Sequence, residues 1–145
     1  MSRSKLFNLS SNDFRLPSHL EKHGVVAWSP ADNIPLISWP NGRWCLEANA
    51  FILGKYSSGQ ARKIRGGTLA TYASYLSHLI RFCYDNQTSF FEISDNQFTL
   101  FINFLKSECL LGAPSRKVRD SNSVIAIGRL TLDFLAFVGN LYGIS

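Results

Sequence analysis

The sequence predicts an all-α fold, a four-helix bundle preceded by an extended N-terminal arm. Three observations carry that prediction. After residue 40, four segments repeat their apolar residues at helical spacing. Four of the five prolines (Pro17, Pro30, Pro35 and Pro40) fall in the first 40 residues, where no sustained period exists. The helical segments are joined by loops of about ten residues, short enough to favour antiparallel neighbours.

Residues 1–40 read as the arm, with a short strand at Val25-Val26-Ala27-Trp28 or Leu36-Ile37-Ser38-Trp39 and tryptophans packed on the domain behind. Without periodicity, most of the arm is expected to be dispensable for folding of the helices. Residues 41–145 form the helical domain. Its first helix is expected over about residues 43–56, where Trp44, Ala48, Phe51 and Ile52 share one face. Asn41 or Gly42 caps it, and Ser57-Ser58-Gly59 ends it.

The second helix covers about residues 68–85, with Leu69, Tyr72, Ala73, Leu76, Leu79, Ile80 and Cys83 on one face. A strand would scatter these residues over two faces. The third begins at Ser94-Asp95-Asn96-Gln97, a capping-box pattern. Its seam is Phe98, Phe101, Ile102, Leu105 and Cys109, and Gly112-Ala113-Pro114 stops it. The fourth starts near Ser121 or Ser123 and runs to Tyr142-Gly143, with Ile127, Leu130, Phe134, Phe137, Val138 and Leu141 as its seam. Gly128 inside it costs roughly 1 kcal/mol relative to alanine and reads as a place where a neighbouring helix comes close.

Composition excludes several functions. Of 145 residues, 46% are hydrophobic, enough for a core and too many for a disordered chain. No apolar run reaches the roughly 18 residues that mark a membrane span. The N-terminus has no signal-peptide pattern. Cys45, Cys83 and Cys109 are odd in number and each lies in an apolar stretch, so they read as reduced core thiols of a cytoplasmic protein. His19 and His23 lack partners at metal-ligand spacing beyond Glu21, and His78 falls on the polar side of the second helix. Gly66-Gly67-Thr68 lacks the spacing of a phosphate loop. No catalytic constellation, metal, cofactor or small-molecule substrate is expected.

The charge has a direction. Net charge is +5. The connection after the first helix holds Arg62, Lys63 and Arg65, with Lys55 just before and no acid. The connection after the third holds Arg116, Lys117 and Arg119 against Asp120 alone, and Arg129 lies two turns into the fourth helix. Between helices two and three the chain carries Asp85, Glu92 and Asp95 with no Lys or Arg. Antiparallel helices would gather both basic connections at one pole, beside the N-termini of helices two and four. Such a pole suits a phosphate backbone.

Thr68-Leu69-Ala70-Thr71-Tyr72-Ala73-Ser74-Tyr75-Leu76 resembles the second helix of the core-binding (SAM-like) domain of tyrosine recombinases, the phage integrase family. The lead-in Pro35-Leu36-Ile37-Ser38-Trp39-Pro40-Asn41-Gly42, followed by Trp44 and Glu47-Ala48-Asn49-Ala50-Phe51, is similar to that family's first helix. Ser121-Asn122-Ser123, Arg129-Leu130 and Phe134-Leu135-Ala136-Phe137 are similar to its fourth. The resemblance covers about residues 35–143. It implies a domain that clamps double-stranded DNA beside other recombinase protomers, while a separate domain cuts through a tyrosine. It implicates Thr68, Thr71 and Tyr75 from helix two, and Ser121, Asn122, Ser123 and Arg129 from helix four. Many relatives carry basic residues just after the helix-two Tyr, where this chain has Ala73-Ser74-Tyr75. The flanking connections then carry more of the affinity. The catalytic domain is absent from these residues, so a fragment of a longer protein is expected. A helical protein-interaction module whose basic end meets an acidic partner stays open as the alternative.

Overall fold

The computed structural model describes the backbone of residues 5–11, 15–20, 26–30, 34–57, 67–111 and 121–143, and side chains within 5–11, 34–57, 69–107 and 122–143. Among the described residues the chain is mostly helical, with four α-helices and two small antiparallel sheets. It divides into two units, Met1–Ala73 and Ser74–Ser145.

In the first unit the arm is not one extended segment. Strand β1 (Phe7–Leu9) pairs with β4 (Pro35–Ile37), setting Phe7 opposite Ile37 and Leu9 opposite Pro35. Between them, β2 (Arg15–Leu20) pairs with β3 (Val26–Pro30). The prolines that argued against regular structure sit where a ladder tolerates them. Pro35 opens β4, Pro30 closes β3, and Pro17 lies at the register shift of β2. Ser10 and Ile34 extend the β1–β4 pairing: the Ser10 N–H donates to the Ile34 carbonyl at 2.8 Å, and the Ile34 N–H to Ser10 Oγ at 2.9 Å. Leu6, Ile34 and Ile37 are buried with Cys45, Ala48, Phe51, Ile52, Leu69 and Ala73. The two ends of the arm, at Leu6 and at Ile34 and Ile37, are therefore part of this unit's core, against the expectation that most of the arm is dispensable for folding. Trp39 is half-buried, and the side chain of Trp28 lies outside the described residues.

Helix α1 spans Leu46–Ser57 and starts later than its apolar spacing suggests. Trp44 does not join its face; it forms a bridge with Ser38 and is 60% exposed. Neither Asn41 nor Gly42 caps the helix. Instead the Gly42 N–H donates to the Trp39 carbonyl and the Trp39 N–H to the Arg43 carbonyl, which makes a tight turn. Gly42 has φ +90°, the left-handed conformation such a turn needs and glycine supplies cheaply. Ala48, Phe51 and Ile52 are buried on one face as the spacing predicts.

Helix α2 (Gly67–Asp85) runs from the first unit into the second, and its seam is buried apart from a half-buried Tyr72. Its end is a Schellman closure: the Thr88 N–H reaches the Cys83 carbonyl and the Gln87 N–H that of Tyr84. Gln87 takes the left-handed position, at φ 53°. A single 3-10 turn, Phe90–Glu92, follows. Helix α3 (Asp95–Leu111) opens with the expected capping box, as Gln97 N–H donates to Ser94 Oγ and Ser94 N–H to Gln97 Oε1. Its Phe101 and Leu105 are fully buried, and Cys109 lies outside the described side chains.

Helix α4 (Ser121–Leu141) buries Val124, Ile127, Leu130, Phe134 and Val138. Leu141, expected in that seam, is 50% exposed because the helix ends there. Aromatic edges tie the second unit together. Phe82 meets Phe101 at 5.4 Å, Phe90 meets Phe134 at 4.9 Å, and Phe91 meets Tyr142 at 5.2 Å. Ile102 Cδ1 lies 3.2 Å from where a Cβ on Gly128 would stand, so the glycine does mark a close helix approach. These contacts run α3 and α4 antiparallel: the end of α4 meets the turn before α3, and its start lies toward the end of α3. Residues Asn122–Leu141 are long and apolar enough to cross a membrane by length and composition. Arg129 and Asp133 interrupt that stretch near its middle, and both are exposed.

Candidate nucleic-acid interface

The six cations on which the sequence reading leans, Arg62, Lys63, Arg65, Arg116, Lys117 and Arg119, lie outside the described residues. So does the expected meeting of their two connections at one pole. What is described is the pair of helices that these connections feed. Helix α2 begins at Gly67, two residues after Arg65, and α4 begins at Ser121, two residues after Arg119. Neither has an acidic residue in its first turn, whereas α1 opens with Glu47 and α3 with Asp95. Carboxylates normally offset the positive end of a helix and its free N–H groups. The two helices that follow basic runs have none in their first turns, and Asp120, directly before α4, is the single carboxylate in the two connections.

Thr68 and Ser121 sit in those first turns, their side chains outside the described set. Thr71 is exposed and Tyr75 half-buried on α2. On α4, Asn122 and Arg129 are exposed and seven residues apart, which puts them on one face; Ser123 is half-buried. Arg129 stands about 12 Å along the axis from the start of the helix, too far to act as part of its cap. At the opposite end of the second unit Asp85, Glu92 and Asp95 are all exposed. The N–H of Ser89 and then its hydroxyl hold the Glu92 carboxyl below its usual range, so this end stays anionic. The second unit is thus acidic at the α2–α3 end, and α4 begins at the other.

Charge also separates the two units, which the sequence alone did not make visible. Met1–Ala73 carries nine Lys and Arg against four Asp and Glu, and Ser74–Ser145 carries six against six. The whole excess of +5 therefore belongs to the first unit.

Among the described residues no group of three His, Cys, Asp or Glu could hold a metal ion. Burial pushes the Cys45 thiol from 9.0 up to about 12, opposed by the Ala48 N–H and helped by the Glu47 charge. It is a neutral core thiol, not a nucleophile. Iodoacetamide at pH 8 should leave Cys45 unmodified in the folded protein and alkylate it after unfolding, as peptide mass mapping would reveal. Because the folded thiol holds its proton more tightly than the unfolded one, its contribution to stability is intact below pH 9 and falls away between pH 9 and 12. Rapid alkylation of the native protein would contradict the enclosed position of Cys45.

No family model, curated protein or solved structure matches this chain.

Proposed function

We propose that this chain is the DNA-gripping domain of a site-specific tyrosine recombinase, holding the recombination site while a catalytic domain elsewhere in a longer cytoplasmic protein performs DNA integration or excision. In this reading the four helices pack as a SAM-like bundle on double-stranded DNA, next to other recombinase protomers. The domain itself neither cuts DNA nor needs a cofactor. The observation that carries the reading is the distribution of charge around the helix starts. The helices α2 and α4 follow three cations each and have no acid in their first turns, with Asp120 before α4 the single carboxylate in either connection, so both helix starts lie beside an excess of positive charge that favours an anion. The sequence resemblance supports the same two helices.

Arg62, Lys63, Arg65, Arg116, Lys117 and Arg119 contact phosphates and set affinity. Thr68, Thr71, Tyr75, Ser121, Asn122 and Ser123 line the approach to the groove, and Arg129 reaches a base edge. Replacing Arg116, Lys117 and Arg119 by glutamine should weaken duplex binding and reduce the log–log salt slope by about three units. Thermal unfolding should stay within about 0.5 kcal/mol of the parent. Neutralising Lys22 and Lys106 is the control. If the control weakens binding equally, the attraction is diffuse and the assigned contacts are wrong. If the parent has no salt-dependent affinity for duplex DNA, the recombinase reading falls and an acidic protein partner takes its place.

A further inference from the structure

The turn before α1 displays a large aromatic surface to solvent on a rigid support. Trp44 is 60% exposed and Leu46 70% exposed, and Arg43 beside them is exposed too. The backbone that carries them is locked. Trp39 N–H donates to the Arg43 carbonyl at 2.7 Å, Gly42 N–H to the Trp39 carbonyl at 2.8 Å, and Arg43 N–H to Asn41 Oδ1 at 3.0 Å. The Ser38–Trp44 bridge and the start of α1 close the segment on its other side. A tryptophan on a backbone held in this way presents a large flat surface and loses only its own two side-chain torsions on binding a flat partner.

We propose that this turn is a nucleic-acid contact in its own right, at which Trp44 stacks on an unpaired base and Arg43 holds an adjacent phosphate. The proposal rests on the DNA-binding reading above and adds to it a preference for opened or single-stranded DNA. Charge selects the partner. The turn belongs to the unit that carries the chain's entire net charge of +5, which suits a polyanion. Stacking selects the form of that polyanion. Inside a duplex both faces of a base are covered by its neighbours, whereas an unpaired base offers an open face to an indole ring.

The test is fluorescence anisotropy with a labelled single strand, a gapped duplex and an intact duplex. Trp44→Ala and Trp44→Leu should weaken binding to the single strand and the gapped duplex roughly five- to hundredfold. Trp44→Phe, which keeps a ring, should retain most of that affinity. All three should bind intact duplex within twofold of the parent, which also verifies that they fold. Arg43→Gln should lower the single-strand salt slope by about 0.7. If Trp44→Ala and Trp44→Leu bind gapped and single-stranded DNA as the parent does while duplex binding stays strong, the stacking site is wrong and the recombinase reading stands. The exposed patch would then belong to a protein contact. If the parent binds no DNA in any form, both readings fall together.

Discussion

Asn49→Leu is expected to destabilise the first unit by about 2–4 kcal/mol, although Asn49 is only half-buried and belongs to no active site. The reason lies in the geometry of β4. Phe7 and Ile37 stand opposite each other, while the Ser38 N–H is the one that donates to the Leu6 carbonyl of the β1 side. The N–H and carbonyl of Ile37 therefore point away from β1, toward α1. Asn49 meets both. Its Oδ1 accepts from the Ile37 N–H at 2.8 Å, and its Nδ2 donates to the Ile37 carbonyl at 2.8 Å and to the Cys45 carbonyl at 2.9 Å. One amide side chain thus acts as a third strand on the free edge of β4. Leucine fills the volume but strands the N–H of a fully buried residue, and an unsatisfied buried donor alone costs about 1–3 kcal/mol.

The readout is convenient, because Trp28, Trp39 and Trp44 all lie in Met1–Ala73. Urea unfolding followed by tryptophan fluorescence reports that unit. A loss below about 0.5 kcal/mol would mean that water replaces the Asn49 contacts without penalty.

Asn49 also illustrates what the sequence reveals and what it hides. Local periodicity is enough for α2 and α3: Leu69, Leu76, Ile80 and Phe101 fall where a 3.6-residue period needs them, and Ser94 and Gln97 signal their own cap. The strands were legible only in part: Val26-Ala27-Trp28 and Leu36-Ile37, read as alternative strand candidates, both fall in strands, β3 and β4, while nothing signals β1, β2 or the pairing. β1 and β4 are three residues each, too short to display alternation, and 25 residues (10–34) separate them in sequence. Their pairing is decided by tertiary contacts that prolines at strand ends do not obstruct. The start of α1 misled for a related reason. Trp44 satisfies helical spacing with Ala48, but Cys45 is drawn to β4, where its N–H donates to the Ile37 carbonyl at 3.1 Å. A turn signal was nevertheless present in Trp39-Pro40-Asn41-Gly42, and it is what turns Trp44 outward.

For the candidate interface the position was reversed. Charge runs and the missing first-turn acids are plain in the sequence, and no side chain of the two basic connections is described. The concentration of net charge in one unit became visible only once the division after Ala73 was known. A boundary inside a continuous helix leaves no trace in composition.

Phe134→Ala should cost the second unit about 3–5 kcal/mol, a large part of the 5–15 kcal/mol that typically holds a domain together. Phe134 is fully buried on α4, and its ring meets that of Phe90 edge to face at 4.9 Å and 87°. Truncation removes the ring and leaves Phe90 facing a void that the turn, fastened by the Ser89–Glu92 contacts, cannot easily close. Far-UV circular dichroism is the measurement, since no tryptophan lies in Ser74–Ser145. Leu132→Ala is the comparison: Leu132 is 53% exposed, and its loss should cost well under 1 kcal/mol.

The pair of variants also tests the character of α4, whose length and apolar composition would suit a bilayer. In a lipid-facing helix Leu132 would be worth about as much as Phe134, and mid-helix Arg129 and Asp133 would each oppose insertion by about 2.5–3.5 kcal/mol. In a core helix the two substitutions differ severalfold, because only one side of α4 is enclosed by the protein. Val124, Ile127, Phe134 and Val138 lie on that side, while Ile125, Arg129, Leu132 and Asp133 lie on the other. Equal effects from Phe134→Ala and Leu132→Ala would show that α4 is not packed within its own unit, and would remove the support on which the exposed position of Arg129 depends.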